Sequence, residues 1–238
     1  MNNLEALRLE LHSTKNPKKA ESLKSFFKTG KGDYGEKDEF IGINAKVLHS
    51  LSKKYQHLSL SKIKILLHSK IHEERQCALF ILIEKYKNKK TSEEEKKRIK
   101  DFYLKNITGV NSWDLVDLSA HHILGEWLFN HNKEKKILYK LAKSQNIWKK
   151  RIAIVSTFYF IRQNKFTDTL EISKILLKEK HYLIQKAVGW MLREMGKRDL
   201  TTEENFLKKN HKKMPPTMLR YAIEKFDEEK RKKYLKKN

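Results

Sequence analysis

The chain has 238 residues, and its 53 Lys and Arg against 29 Asp and Glu leave a formal charge of +24. Eight glycines and three prolines are too few for the tight turns of a sandwich or barrel, and one cysteine excludes an internal disulfide. No apolar run approaches the roughly 20 residues that span a bilayer.

Leu4, Leu7 and Leu11 open the chain at helical spacing, and Leu23, Phe26 and Phe27 mark a second amphipathic stretch. The start MNNLEALRLELHSTKNPKKA lacks the apolar core of a signal peptide, so a cytoplasmic chain is expected, associated with the nucleoid if it binds DNA. TGKGDYGEKDEFIGI, Thr29 to Ile43, then breaks the pattern with a charged, Gly-rich loop long enough to suspect a role. Ser59 is the expected cap of a short helix in LSLSKIKILLHS, and a longer helix is expected from about Glu73 to Tyr86. Thr91 and Ser92 are cap candidates for TSEEEKKRIKDFYLKNI, whose first-turn acids suit the helix dipole. Pro215-Pro216 sets the start of a final helix, TMLRYAIEKF, and the tail RKKYLKKN is read as frayed.

These helices repeat. Aligning ILLHSKIHEERQCALFILIEK, KLAKSQNIWKKRIAIVSTFYF and ILLKEKHYLIQKAVGWMLREM puts Ala78, Ala153 and Gly189 at one position, separated by 75 and 36 residues. The longer gap has room for one further unit centred on NSWDLVDLSAHHILGEWL. A two-helix period of this length predicts an all-α, HEAT-type solenoid, a right-handed α-α superhelix with a concave basic groove. A small residue at the repeated position fits a close helix crossing. The expected organisation is one domain: N-terminal helices and loop over 1–43, repeats over about 44–225, and a basic tail over 226–238.

A charge of +24 points to a polyanion partner, DNA or RNA ahead of an anionic membrane. Trp113 and Asp117 in NSWDLVDL stand four apart and share a helix face, with Asn111 or Ser112 as cap and Leu115, Val116 and Leu118 on the buried side. Trp190, Arg193 and Lys197 form a stripe of one aromatic and two cations, extended by Lys186 one turn earlier. That stripe is too polar for a buried face. Trp127 and Trp148 read as structural, Trp148 as a staple at a helix start. No dinucleotide, Walker or HExxH motif is present, and Cys77 has neither the setting of a nucleophile nor metal partners. His121 and His122 are neighbours expected to face apart, and the carboxylates beside His72 are expected on a solvated helix start. No metal site is expected.

The set EFIGI, HEERQCALFILIEKY, WDLVDLSA, RIAIVSTF and KAVGWMLRE resembles the AlkD-like DNA alkylation repair family, the HEAT-repeat DNA glycosylases, from about Phe26 to Tyr221. The resemblance implies a monomeric, cofactor-free enzyme that acts on double-stranded DNA and releases cationic alkylated purines such as 3-methyladenine and 7-methylguanine. The family's catalytic aspartate falls on Asp117, its groove tryptophans on Trp113 and Trp190, and its backbone-contacting arginine on Arg151, with Lys150 beside it. A non-flipping mode is implied, which grips the backbone around the lesion. The Thr29–Ile43 segment departs from the family pattern, standing where a helix pair would otherwise cap the groove.

The chemistry is coherent without the resemblance. A purine alkylated at N3 or N7 leaves as a neutral molecule, so no general acid is needed. Positive charge develops on the sugar, and one carboxylate can stabilise it and position water. Two other readings compete: a non-catalytic solenoid that binds damaged or branched DNA by shape, and a scaffold for an acidic protein. Losing Asp117 would help a pure binder and disable an enzyme.

Overall fold

Side-chain caps start most of the longer helices in the computed structural model, which describes residues 3–236. Asn16, Asn44, Ser92, Asn146, Asp199 and Asp227 each accept a backbone N–H from the first turn of the helix they precede. The described residues contain no strand, only an isolated parallel bridge between Glu39 and Ile71. Among the described residues, no helix is long and apolar enough to cross a membrane.

The chain divides into two compact units, Met1–Ser119 and Ala120–Asn238. The first holds α1 (Asn3–Ser13), α2 (Pro17–Phe26), α3 (Ala45–Lys54), α4 (Leu60–Leu67), α5 (His72–Lys87), α6 (Glu93–Lys105) and most of α7 (Trp113–Ala120). A π-helical turn, His121–Gly125, opens the second. It is followed by α8 (Glu126–Asn130), α9 (Lys136–Ala142), α10 (Ile147–Arg162), α11 (Thr167–Ile175), α12 (Tyr182–Gly196), α13 (Leu200–Asn210), α14 (Pro216–Ala222) and α15 (Glu228–Leu235).

A short helix repeatedly precedes a long one: α4 before α5, α9 before α10, α11 before α12. The long members have no single polar face. α10 buries Trp148, Ile152 to Thr157, Phe160 and Ile161, as a helix does when neighbours cover it on several sides. Gly189 shows why the repeated position is small. A Cβ there would lie 2.4 Å from the Met218 carbonyl oxygen, so α12 and α14 cross at backbone contact.

Four local expectations are corrected. The tail is helical as α15 up to Leu235, because Asp227 caps it; Lys237 and Asn238 lie outside the described residues. Ser59 stands at the cap position of α4 but meets the Ser61 hydroxyl at 2.9 Å instead of a helix N–H. Phe26 is 64% exposed rather than in the core, while Phe27 is buried. The largest difference concerns Glu73 and Glu74, which are buried at the start of α5. Glu73 accepts the N–H groups of Ile41, Gly42 and Ile43, the Gly42 bond at 2.7 Å. Glu74 takes Arg8 at 2.9 Å and His12 at 3.3 Å. These acids are solvated by protein and tie the N-terminal segment to α5. Gly42 completes the tie: its φ is +78°, and a Cβ would lie 2.1 Å from the Asn16 carbonyl oxygen.

Candidate functional site

Ser112, rather than Asn111, occupies the cap position of α7, its carbonyl accepting the Val116 N–H at 3.1 Å. Trp113 opens the helix and Asp117 comes one turn later, both half-buried, so the expected shared face is present. Leu115 and Val116 are buried, as expected, while Leu118 is only half-buried.

The indole of Trp113 is held on several sides. It stacks on Phe27 with centroids 5.5 Å apart and meets Phe26 edge-on at 5.7 Å. Its Nε1–H donates to the Tyr34 hydroxyl at 3.0 Å. Phe27 in turn stacks on Phe40 at 5.2 Å. The Gly-rich segment therefore delivers Tyr34 and Phe40 to the wall on which Trp113 rests. The N-terminal helices α1 and α2 precede that segment rather than being replaced by it. Phe26 is the one aromatic of this group that stays mostly exposed.

Beneath Trp113 lies a buried chain of charges. His72 Nε2 is 2.8 Å from Asp114 Oδ2, and His72 Nδ1 is 3.1 Å from Asp38 Oδ2. Asp38 Oδ2 also accepts the Arg75 guanidinium at 2.6 Å. With both ring nitrogens facing carboxylates, His72 makes both contacts only as an imidazolium. Burial opposes that charge, but Asp114's charge and the two hydrogen bonds outweigh burial and the nearby Arg75, so the His72 pKa is raised. Burial likewise opposes ionised Asp114, and the His72 charge and hydrogen bond outweigh it, so Asp114 is lowered. Asp114 lies on α7 between Trp113 and Asp117, so this chain fixes the helix that carries both. Asp117 is felt electrostatically by Tyr103, whose phenol is pushed up first by burial and then by that carboxylate.

In the second unit, Arg151 is buried on α10 and its Nη1 donates to the Leu183 carbonyl at 2.5 Å, linking α10 to α12. Lys150 is half-buried and pairs with Glu179 at 2.5 Å. Trp190 is half-buried against Phe158 at 5.8 Å. Lys186, Arg193 and Lys197 lie along the same helix and are half-buried or exposed, as their stripe requires. Lys186 sits 5.6 Å from the ring centres of both Tyr182 and Tyr221. Arg193 pairs with Glu224 and Glu194, and Lys197 with Glu194 at 2.7 Å. These acids had no place in the sequence-based stripe.

Trp127 is buried and stacked on His131 at 3.7 Å, and Trp148 is buried just after its Asn146 cap. His121 and His122 do not face apart: their rings lie 3.8 Å from one another, because a π turn advances less per residue than an α turn. Burial pushes the Cys77 thiol up to about 12, which leaves it inert. Among the described residues, no group of three or more His, Cys, Asp or Glu is placed to hold a metal ion.

The model of a family described as DNA alkylation repair enzyme matches residues 7–226. Among solved structures, the fold is similar to that of a predicted DNA alkylation repair enzyme from Enterococcus faecalis, with TM-score 0.71 and 20% sequence identity over 90% of this chain and 98% of that one. A comparison with curated proteins finds no match.

Proposed function

Because this chain belongs to the DNA alkylation repair enzyme family, we propose that it is a monofunctional DNA glycosylase that releases cationic N3- and N7-alkylated purines from duplex DNA without flipping the base. The observation that carries this reading is the pairing of Trp113 and Asp117 one turn apart on α7, in a chain that is otherwise strongly basic. A carboxylate facing DNA phosphates weakens binding, so its place in such a protein suits chemistry better than affinity.

In the proposed reaction the alkylated base leaves with the electron pair of the glycosidic bond and becomes neutral, so it needs no proton. Asp117 stabilises the oxocarbenium-like sugar and positions the water that adds to C1′. Trp113 presents an electron-rich ring to the developing cation, as does Trp190. Arg151, with Lys150 beside it, is assigned to a backbone phosphate, and Lys186, Arg193 and Lys197 to the flanking backbone. No cofactor is needed, and the protein acts as a monomer. The site rests on packed helices, with no deep pocket required, so bulky adducts are accepted.

The net charge of +24, which attracts duplex DNA whether or not Asp117 reacts, favours one second reading, a non-catalytic binder of damaged or branched DNA. Release of 7-methylguanine and 3-methyladenine from methylated duplex decides between the two. Wild type should release both, and Asp117→Asn should lose a factor of about 10²–10³ in rate while keeping or improving duplex affinity. Equal loss of rate and affinity would remove Asp117 from the chemistry, and salt-sensitive binding with no release by wild type would favour the binder. Arg151→Ala should weaken binding to all duplex sequences and flatten the salt slope by about one unit. A loss confined to particular sequences would mean that Arg151 reads bases.

A further inference from the structure

The family match ends at Phe226, and the chain then adds α15, a helix with no buried residue. Its acids are gathered at the start, Asp227 as cap and Glu228 and Glu229 in the first turn, where the helix dipole favours them. From Lys230 onward the sequence is almost wholly cationic, KRKKYLK. Two contacts strap this helix to α13. Lys230 Nζ lies 2.6 Å from Glu204 Oε1, and the Tyr234 ring meets His211 edge-on at 5.3 Å and Phe226 at 5.9 Å.

His211 belongs to the turn that ends α13, which carries Lys208, Lys209, Lys212 and Lys213, all exposed. The Tyr234–His211 contact therefore sets the basic end of α15 beside the basic end of α13. From Lys208 to Lys236 there are 11 Lys and Arg against 4 Asp and Glu, a net +7 in 29 residues. That is more than twice the charge density of the whole chain. Lys230 and Lys232 are in ion pairs, but the four lysines ending α13, with Arg231 and Lys233, are in none among the described residues. Like charges held this close repel one another, and an isolated helix this short is not stable alone. Folding that gathers them is relieved when a polyanion covers the surface.

We propose that α15 and the end of α13 form a second, sequence-independent contact for the sugar–phosphate backbone of duplex DNA, contributing affinity and no chemistry. This rests on duplex DNA being the partner of the site described above. A membrane-lying helix needs a continuous apolar face, which α15 lacks. A single strand needs exposed rings on which bases stack, and Tyr234 is instead packed edge-on within the protein.

The test replaces Lys208, Lys209, Arg231 and Lys233 together by Gln. A control carries Lys89→Gln, Lys90→Gln, Lys140→Gln and Lys143→Gln, which removes equal charge from exposed positions elsewhere. Undamaged duplex binding is measured against salt for both, and base release in single turnovers at saturating protein. The corner variant should flatten the salt slope by about 0.9 for each phosphate it no longer neutralises, up to about 3–4 units, while the saturated release rate stays within twofold of wild type. The control should keep the wild-type slope. Equal slopes for the two variants would overturn the proposal, as would tighter binding of wild type to double-stranded RNA or anionic vesicles than to duplex DNA. A wild type that releases no base but shows the corner-specific change would remove the glycosylase reading and leave this contact standing. A wild type without salt-dependent duplex binding would remove both.

Discussion

The two units differ in one buried acid. In the N-terminal unit Glu73, Glu74, Asp38 and Asp114 go under protein with donors waiting: three backbone N–H groups, Arg8, Arg75 and the His72 ring. In the C-terminal unit Asp168 is partnered likewise, by Lys135 at 3.1 Å and the Tyr139 hydroxyl at 2.8 Å, but Glu203 goes under without a donor, its Oε1 unbonded and its Oε2 so close to Gly196 that a Cβ there would lie 1.6 Å away. The partnered carboxylates anchor backbone and helix ends, and Asp114 among them is held below its ordinary value by His72 despite its burial. The unpartnered one keeps its proton instead: burial, then the neighbouring Glu204, push Glu203 up to about 8 despite Arg193. The anchored region is the one that holds Trp113 and Asp117, which suits a site needing fixed geometry.

Breaking the anchor should have the largest effect. His72→Leu leaves Asp38 and Asp114 under protein with one cation fewer, and removing one partner of a buried pair costs about 3–5 kcal/mol. Denaturant unfolding should show that loss, and amide exchange should accelerate first in α7 and in residues 34–41. A loss below about 1 kcal/mol would mean that the aromatic wall alone holds α7.

The contrast also sets two pH dependences: the His72–Asp114 pair is lost on both sides of a window, and Glu203 only as pH rises. His72 is raised from 6.5, so its contribution is complete below that pH and is lost as pH rises through the folded value. Asp114 is lowered from 3.8, so its contribution holds above that pH and is lost as pH falls through the folded value. The pair is therefore whole between about pH 4 and 6.5. Glu203 is raised from 4.5 to about 8, so its contribution is present below 4.5 and is lost as pH rises through 8, when a buried acid is forced to ionise. Glu203→Gln should raise the thermal midpoint at pH 9 by several degrees and leave it unchanged near pH 4.5. Region-resolved amide exchange should place the gain in α12 and α13. An unchanged midpoint at pH 9 would show that Glu203 ionises without cost.

Helices, their order and the helix that carries Trp113 and Asp117 were legible because each rests on short-range patterns. Leu4, Leu7 and Leu11, the Ser92 cap and the spacing of Trp113 to Asp117 all lie within a few residues. Gly189 was legible too, since a small residue recurring among large ones marks a close crossing. The charge chain was not. His72 meets Asp38 and Asp114 across 34 and 42 residues, and nothing local distinguishes a Glu at a solvated helix start from Glu73, which accepts backbone N–H groups 30 residues away. Asp114 stood in full view as the second letter of WDLVD, but its role depends on a histidine two helices earlier. The stripe on α12 shows the same limit: Glu224, which pairs with Arg193, is 31 residues further on.

The smallest expected effect sharpens the comparison most. Tyr34 supplies a single hydrogen bond to the Trp113 indole from a loop anchored through Glu73 and Asp38. Tyr34→Phe keeps the ring and removes the acceptor, so stability should fall by only about 0.5–1.5 kcal/mol. If the N-terminal unit exists to fix Trp113, however, the bond matters more to the ring's orientation than to folding. The single-turnover release rate should then fall several-fold while duplex affinity stays at the wild-type value, because the lesion is still bound but meets a misaligned ring. A parallel fall in affinity would make Tyr34 a DNA contact, and an unchanged rate would leave orientation of the indole to Phe26 and Phe27.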